Sequence, residues 1–239
     1  MNELFWILML VLNFLAIMTA FRLWGKIGLF IWIPISVIVA NIQVTETVIL
    51  FGLEATLGNI VYGTSFLATD LINECYGKKE ARKAVWIGFF ALIVMTVLMN
   101  AALLFIPAES DFAHESLKNI FSIMPRIATG SLIAYLAANF EDIWSFELWR
   151  RFKPGKAWLW LRSKASTFVS QIIDTVLFTL IAFWGVYPWE VLWQIMFTTY
   201  LLKWIVAVCD TPFMYLGRSW YDKGLIKDGE KRSEEFHQT

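Results

Sequence analysis

The chain has 239 residues, of which 58% are apolar and only 17% charged, and its formal net charge is zero. A soluble globule is nearer half apolar and a quarter charged, so composition argues against a water-soluble domain. Balanced charge leaves no bulk field for nucleic acid, and two cysteines without a CxxC or Cys/His cluster offer no structural metal site.

Five runs, near 4–21, 27–45, 55–69, 84–108 and 175–189, contain no Asp, Glu, Lys or Arg. Roughly 20 residues cross about 30 Å of hydrocarbon. The expected fold is an all-α polytopic membrane helix bundle of about seven spans. They are placed at 4–21, 29–51, 55–75, 84–106, 117–139, 163–186 and 190–216.

Span one follows Met1-Asn2-Glu3, which is not a basic n-region, so it reads as an uncleaved span rather than a signal peptide. Arg22 and Lys26 come next. Span two carries Asn41 and Thr45 one turn apart, and Glu46 and Glu54 mark its end and the following turn, where they read as solvated acids. Span three is uncharged from Ala55 to Ala68, then runs into Asp70 and Glu74 on one helical face. An ionised carboxylate near hydrocarbon costs about 2.5–3.5 kcal/mol even on the lenient insertion scale. Both acids are therefore expected to look into a polar cavity or a partner helix. Tyr76-Gly77 reads as a helix stop with Gly in the left-handed cap position. Lys78, Lys79, Arg82 and Lys83 follow, and Glu74, Lys78 and Lys79 also suit simple interface charges.

Span four carries Asn100 and leads to Glu109, Asp111 and Glu115. Span five carries Arg126, with Thr129, Gly130 and Ser131 behind it. The next connection holds Arg150, Arg151, Lys153, Lys156, Arg162 and Lys164, with Trp144, Trp149, Trp158 and Trp160 suiting an amphipathic helix on the membrane surface. Span six shows a stripe of Ser163, Ser166, Thr167, Ser170, Gln171, Asp174 and Thr175 at three- and four-residue spacing. Asp174 is expected near the bilayer midplane, with Arg126 at a similar depth. Span seven carries Lys203 and, seven residues on, Asp210, which suit a functional role or a structural ion pair equally. The tail from Asp222 to Thr239 reads as solvated and partly disordered.

Every second connection is basic, and the others hold no Lys or Arg except Lys118. Cytoplasmic loops are rich in Lys and Arg, so the N-terminus is expected outside and the C-terminus inside. Trp184, Trp189 and Trp193 flank an outer turn, as interface aromatics do. Cys75 and Cys209 fall on the reducing inner side, where no disulfide is expected.

Ser163, Ser166, Thr129 and Ser131 read as packing residues, since hydroxyls in membrane helices bond their own backbone or a neighbouring helix. Asp70, Arg126 and Asp174 sit too deep for a passive role. A cavity holding carboxylates, amides and aromatics suits a flat polar ring. A carboxylate accepts two parallel N–H bonds from a guanine-like edge, an amide matches the adjoining carbonyl and ring N–H, and an aromatic stacks on the face. Asp70, Asp174 and Gln171 are the candidates for that edge. This chemistry permits a nucleobase without selecting one among polar solutes.

Thr69-Asp70-Leu71-Ile72-Asn73-Glu74-Cys75-Tyr76-Gly77 with Ala81-Arg82 resembles the hallmark of the queuosine precursor transporter family, also called vitamin-uptake-like. Arg126-Ile127-Ala128-Thr129-Gly130-Ser131 with Ala134-Tyr135 is similar to its second block. Ser166-Thr167, Ser170-Gln171-Ile172-Ile173-Asp174-Thr175 and Ile181-Ala182-Phe183 resemble its third, and Lys203 with Asp210-Thr211-Pro212 its final span. The resemblance covers about residues 29–217. It implies import of 7-deazaguanine precursors of queuosine, such as preQ0, preQ1 or queuine, across the bacterial plasma membrane for salvage into tRNA modification. It also implies a six-helix core similar to the substrate-binding subunits of energy-coupling-factor importers. The implied pocket is Asp70, Asn73, Glu74, Arg126, Ser170, Gln171, Asp174 and Lys203, and Asn41 joins them as a polar residue of span two. On this basis 27–217 is a six-helix transport domain, 1–26 an added N-terminal helix with a basic loop and no assigned function, and 218–239 a cytoplasmic tail.

Two other functions compete with a carrier that works alone or as a homodimer, with protons coupled through Asp70 or Asp174. One is a substrate-binding subunit energised by a separate ATPase, since the chain has no GxxxxGK[ST] phosphate loop. The other is a membrane enzyme. The only histidines, His114 and His237, lie away from the acids, and neither HExxH nor GxSxG occurs, so no catalytic residue, cofactor or metal is expected.

Overall fold

In the computed structural model, residues 1–152 and 159–226 are described. They form eight helices and one β-hairpin, divided between two compact units, Met1–Phe105 with Leu201–Thr239, and Ile106–Tyr200.

The first unit opens with α1, Asn2–Gln43. Straight, its 42 residues would reach about 63 Å, twice the hydrocarbon thickness. It is not straight. Gly25 leaves the helical region with φ 55° and ψ −132°. Beyond it, a Cβ on Gly28 would stand 2.2 Å from the Ala20 carbonyl oxygen, although residues eight apart in a straight helix are separated by about 12 Å. At the far end, Asn2 Nδ2 donates to the Ile49 carbonyl at 3.0 Å, and the Phe51 N–H donates to Glu3 Oε1 at 3.2 Å. Residues 2–3 thus meet residues 49–51, and α1 is a helical hairpin folded back at Gly25. Its arms, 2–24 and 26–43, correspond to the first two expected spans, and Arg22 and Lys26 lie at the elbow.

The second span was expected to continue to 51 and the third to begin at 55. Instead β1, Thr47–Leu50, pairs antiparallel with β2, Leu53–Thr56, in the register Thr47↔Thr56. The two-residue turn is Phe51-Gly52, with φ 52° and 80°, and positive φ at both positions matches the twist of a tight hairpin. A short run of Val, Ile and Leu cannot be told from a helix end by hydropathy alone.

Helix α2, Asn59–Tyr76, ends at Gly77 as expected, although Gly77 (φ 92°, ψ 162°) takes a positive-φ conformation open to glycine rather than the left-handed helical one. Helix α3, Lys78–Ala102, starts at the next residue. After α7, Trp189–Cys209, which begins in the second unit, the first unit closes with α8, Thr211–Asp222. Span seven is therefore two helices, and Pro212 sits in the first turn of α8, where its missing N–H breaks no bond.

The N-terminal arm packs into the first unit. Trp6, Leu10, Phe14, Ile17 and Phe21 share one buried cluster with Leu29, Ile33, Leu67, Leu71, Leu202 and Val206. Close approaches tighten it: a Cβ on Gly63 would meet Val206 at 2.9 Å, and one on Gly217 would meet Leu71 at 2.6 Å.

The second unit contains α4, His114–Phe121, α5, Met124–Phe152, and α6, Leu159–Phe183, before the start of α7. Span five is thus interrupted at 122–123. Helix α5 also runs well past its expected end, so Trp144 and Trp149 are helical, and Trp160, Arg162 and Lys164 belong to α6. Most of the expected inner loop is helix. Lys153, Lys156 and Trp158 lie outside the described residues, as do Lys227, Lys231, Arg232 and the rest of 227–239. At the turn between α6 and α7, Trp184, Trp189 and Trp193 stack edge to face in a ladder, with centroids 5.6 and 5.5 Å apart. All three are exposed, which suits aromatics at a membrane interface.

Among the described residues, α1, α3, His114–Ala138 and Trp189–Asp222 are long and apolar enough to cross a membrane. Large apolar side chains such as Leu12, Phe90, Leu98 and Val208 face outward. The architecture is a helical membrane bundle with one small hairpin.

Candidate functional site

In the first unit, Leu67, Ala68, Leu71 and Ile72 turn the apolar side of α2 inward. The opposite side presents Asp70, Asn73 and Glu74, all exposed, at the i, i+3, i+4 spacing of one face. The hydroxyls one and two turns earlier serve the helix itself: Thr69 donates to the Ser65 carbonyl, and Ser65 to Tyr62. The Glu74 carboxylate lies 3.4 Å from the Arg218 guanidinium of α8, which also donates to the Glu74 carbonyl at 2.6 Å.

Lys203 of α7 is buried, 8% exposed, with its ammonium 5.4 Å above the ring of Tyr62. A cation over an aromatic face keeps part of its stabilisation when desolvated. Asp210 is buried as well, at the junction of α7 and α8. Asn41 donates to the Val37 carbonyl of its own helix at 2.7 Å, so that N–H serves the backbone.

In the second unit, α6 carries the polar stripe. Ser170 and Asp174 are buried one turn apart, Asp174 being 6% exposed, and Thr175 lies beside them. Gln171 is half-buried, and its Oε1 is a buried acceptor with no hydrogen-bond partner in the protein. Such an acceptor is costly unless something donates to it. The side chains of Ser163, Ser166 and Thr167 lie outside the described residues. Thr129, expected to be a packing residue, donates to the Pro125 carbonyl at 2.7 Å.

Arg126 departs from expectation. It sits in the first turn of α5, and its Nε and Nη2 donate to the carbonyls of Ile181 and Trp184, each at 2.5 Å. Those carbonyls belong to the end of α6, where acceptors lack intrahelical partners and the helix dipole is negative. Ile181 to Trp184 lies seven to ten residues beyond Asp174, about 10–15 Å along the axis. Arg126 and Asp174 therefore do not share a depth.

Tyr62, Thr179 and Arg218 were missed. Thr179 is fully buried and continues the α6 stripe four residues after Thr175. Tyr62 precedes Asp70 by eight residues, close to two turns, on the same face. Extending each stripe by its own spacing finds both. Arg218 reaches Glu74 from 144 positions away and has no local signal. Among the described residues no group of three or more His, Cys, Asp or Glu could hold a metal ion. Each unit thus carries its own polar groups: acids, an amide and a cation over a ring in the first, an acid, an amide and a hydroxyl in the second.

Residues 56–217, more than half of the chain, match the family described as "Putative vitamin uptake transporter". Over 232 residues, 97% of this chain and 99% of the relative, it is 45% identical to the "Probable queuosine precursor transporter" of Bacillus subtilis (strain 168). It is 30% identical over 148 residues, 61% of this chain and 62% of the relative, to the "Queuosine precursor transporter" of Escherichia coli (strain K12). It is 29% identical over 162 residues, 66% of each chain, to the "Probable queuosine precursor transporter" of Haemophilus influenzae. No solved structure matches the chain. The helical membrane bundle, the matched family model and the near-full-length relative agree: this chain belongs to the vitamin uptake transporter family, as a multi-pass transporter of the bacterial plasma membrane.

Proposed function

We propose that this transporter imports queuosine precursors, flat 7-deazaguanine bases. The observation that carries the proposal is the 45% identity over nearly the full length of a protein named for that activity. The chemistry of the candidate residues supports it. Asp70 and Asp174 supply carboxylate acceptors for a guanine-like edge, Gln171 an acceptor awaiting a donor, Asn73 an amide and Ser170 a hydroxyl, with Lys203 and Glu74 adding charge. Arg126 and Asn41 act as supports, because a side-chain donor of each serves a backbone carbonyl.

The chain works alone or as a homodimer with seven crossings, N-terminus outside. The folded α1 hairpin supports that count. So does the clustering of the α1 elbow, the α2–α3 junction and α8, three basic regions, at one end of the first unit. The transport domain on this reading includes the N-terminal arm.

The test is a strain that lacks both precursor synthesis and import. Expression of this chain should restore queuosine in tRNA when a deazaguanine is supplied. Failure to restore it, with the protein present in the membrane, would remove the substrate assignment. Uptake by the purified chain in proteoliposomes would rule out dependence on a separate ATPase, and an ionophore-insensitive rate would remove proton coupling.

A further inference from the structure

The N-terminal arm brings more than packing to the first unit. At the elbow, Lys26 Nζ lies 3.0 Å from Glu80 Oε2 of α3 and 5.7 Å from the Tyr76 ring centroid at the end of α2. Arg22 donates to the Leu225 carbonyl just beyond α8, and its guanidinium lies 5.5 Å from the Trp220 ring centroid. From α8, Arg218 holds both the carbonyl and the carboxylate of Glu74, and also pairs with Asp222 at 3.1 Å. Tyr221 meets Tyr76 edge to face at 5.3 Å. Three elements are thus tied together by ion pairs and rings at one end, whereas the body of the unit is held by apolar packing.

We propose that the α1 elbow, the α2–α3 junction and α8 form a charge latch that closes this end of the first unit and must release in each transport cycle. The proposal rests on the transport reading. Two observations carry it. The first is the kind of bond. Lys26 and Glu80 are partly exposed, as are Arg218 and Glu74. Such pairs are individually weak and screened by salt, which suits a contact that opens repeatedly. The apolar cluster of Phe14, Phe21, Leu71 and Val206 stays closed as the base. The second is that two of the tied junctions are backbone breaks, α1 at Gly25 and α2–α3 at Gly77, while α8 begins after Asp210 with Pro212 in its first turn. A Cβ at Gly77 would meet nothing within 4 Å, so that junction has room to turn. Release of Arg218 would bare Glu74, one turn from Asp70, so the latch guards the end of the α2 polar face.

Cys75, half-buried between Glu74 and Tyr76, reports on the latch without requiring a substrate. In a Cys209→Ser background, Glu80→Lys should raise maleimide labelling of Cys75 several-fold, and the swap of Lys26→Glu with Glu80→Lys should bring it back. Equal labelling in all three would overturn the latch. Release is tested separately, with Cys75→Ser and Cys209→Ser in place. Lys26→Cys and Glu80→Cys bridged by a short bismaleimide should keep deazaguanine binding and lose uptake at least tenfold, while each single-cysteine variant treated alike keeps it. Full uptake by the bridged protein would overturn the requirement for opening. If the unmodified protein takes up no deazaguanine, the substrate reading fails, and the Cys75 labelling pattern still decides whether the latch exists.

Discussion

Phe14 stacks on Phe213, with ring centroids 4.5 Å apart and 21° between the planes. The contact joins the first arm of α1 to α8, almost 200 positions on. Phe14 is 2% exposed, so its removal leaves a cavity. Phe→Ala in a soluble core costs about 3–5 kcal/mol, and lipid replaces part of the transfer term, so a loss on the order of 2 kcal/mol is expected for Phe14→Ala. Thermal unfolding in detergent checks this, with the outward-facing Leu12→Ala as the unchanged control.

Gly28→Ala should be more damaging than Gly217→Ala. A Cβ at 28 meets the Ala20 backbone, which cannot move without opening the elbow, whereas one at 217 meets the ends of Leu71. Overpacking a core costs about 1–3 kcal/mol. The alanine at 28 should exceed that range and lower the yield of folded protein, and the alanine at 217 should fall within it. Size-exclusion profiles and melting temperatures compare the two.

Arg126 is expected to act through α6. Hydrogen bonds from a charged donor contribute about 1.5–3 kcal/mol each, and Arg126→Gln removes two. Melting temperature and maximal uptake rate should both drop, while the concentration giving half-maximal uptake stays put. Arg126→Lys keeps the charge but loses the fork, and should recover only part. A selective loss of affinity with unchanged melting would return Arg126 to the binding surface.

Asp174→Asn should abolish saturable uptake while the protein still inserts and folds, because an amide cannot accept two parallel N–H bonds. Retained uptake would show that this carboxylate does not recognise the solute. Lys79→Gln, at an exposed position, should leave affinity alone.

The Lys26 ammonium hydrogen-bonded to Glu80 holds that carboxyl below its ordinary value of 4.5. A depressed carboxylate stabilises the folded pair above the unfolded pKa, and the contribution is lost as pH falls through the folded value. The Lys26–Glu80 contact should therefore be complete at neutral pH and be lost only in acid, as pH falls through the lowered value of the Glu80 carboxyl. Following the Glu80 carboxyl by NMR should show its midpoint rise in Lys26→Gln. An identical midpoint in both proteins would mean that the pair does not form in solution.

Some local features were legible because they obey one-dimensional rules. Uncharged runs and the alternation of basic connections indicated a membrane bundle. The helix stop at Gly77 came from residue type, and the α6 stripe from Ser170 to Thr175 from spacing. The hairpin at Thr47–Thr56 was not legible, since its strands are as apolar as a helix end. The depth expected of Arg126 was not met, because position within a run does not reveal which carbonyls a guanidinium reaches on a neighbouring helix.

The sequence by itself determined that this chain lives in a bilayer, and which residues are polar enough to bind a solute there. Hydropathy and periodicity are local, so they survive without knowledge of neighbours. Only the tertiary structure decided that α1 folds back at Gly25 and that its first arm belongs to the core. It alone revealed that Arg126 serves the end of α6 and that Arg218 covers Glu74. Those outcomes depend on backbone approach and on pairings between distant residues.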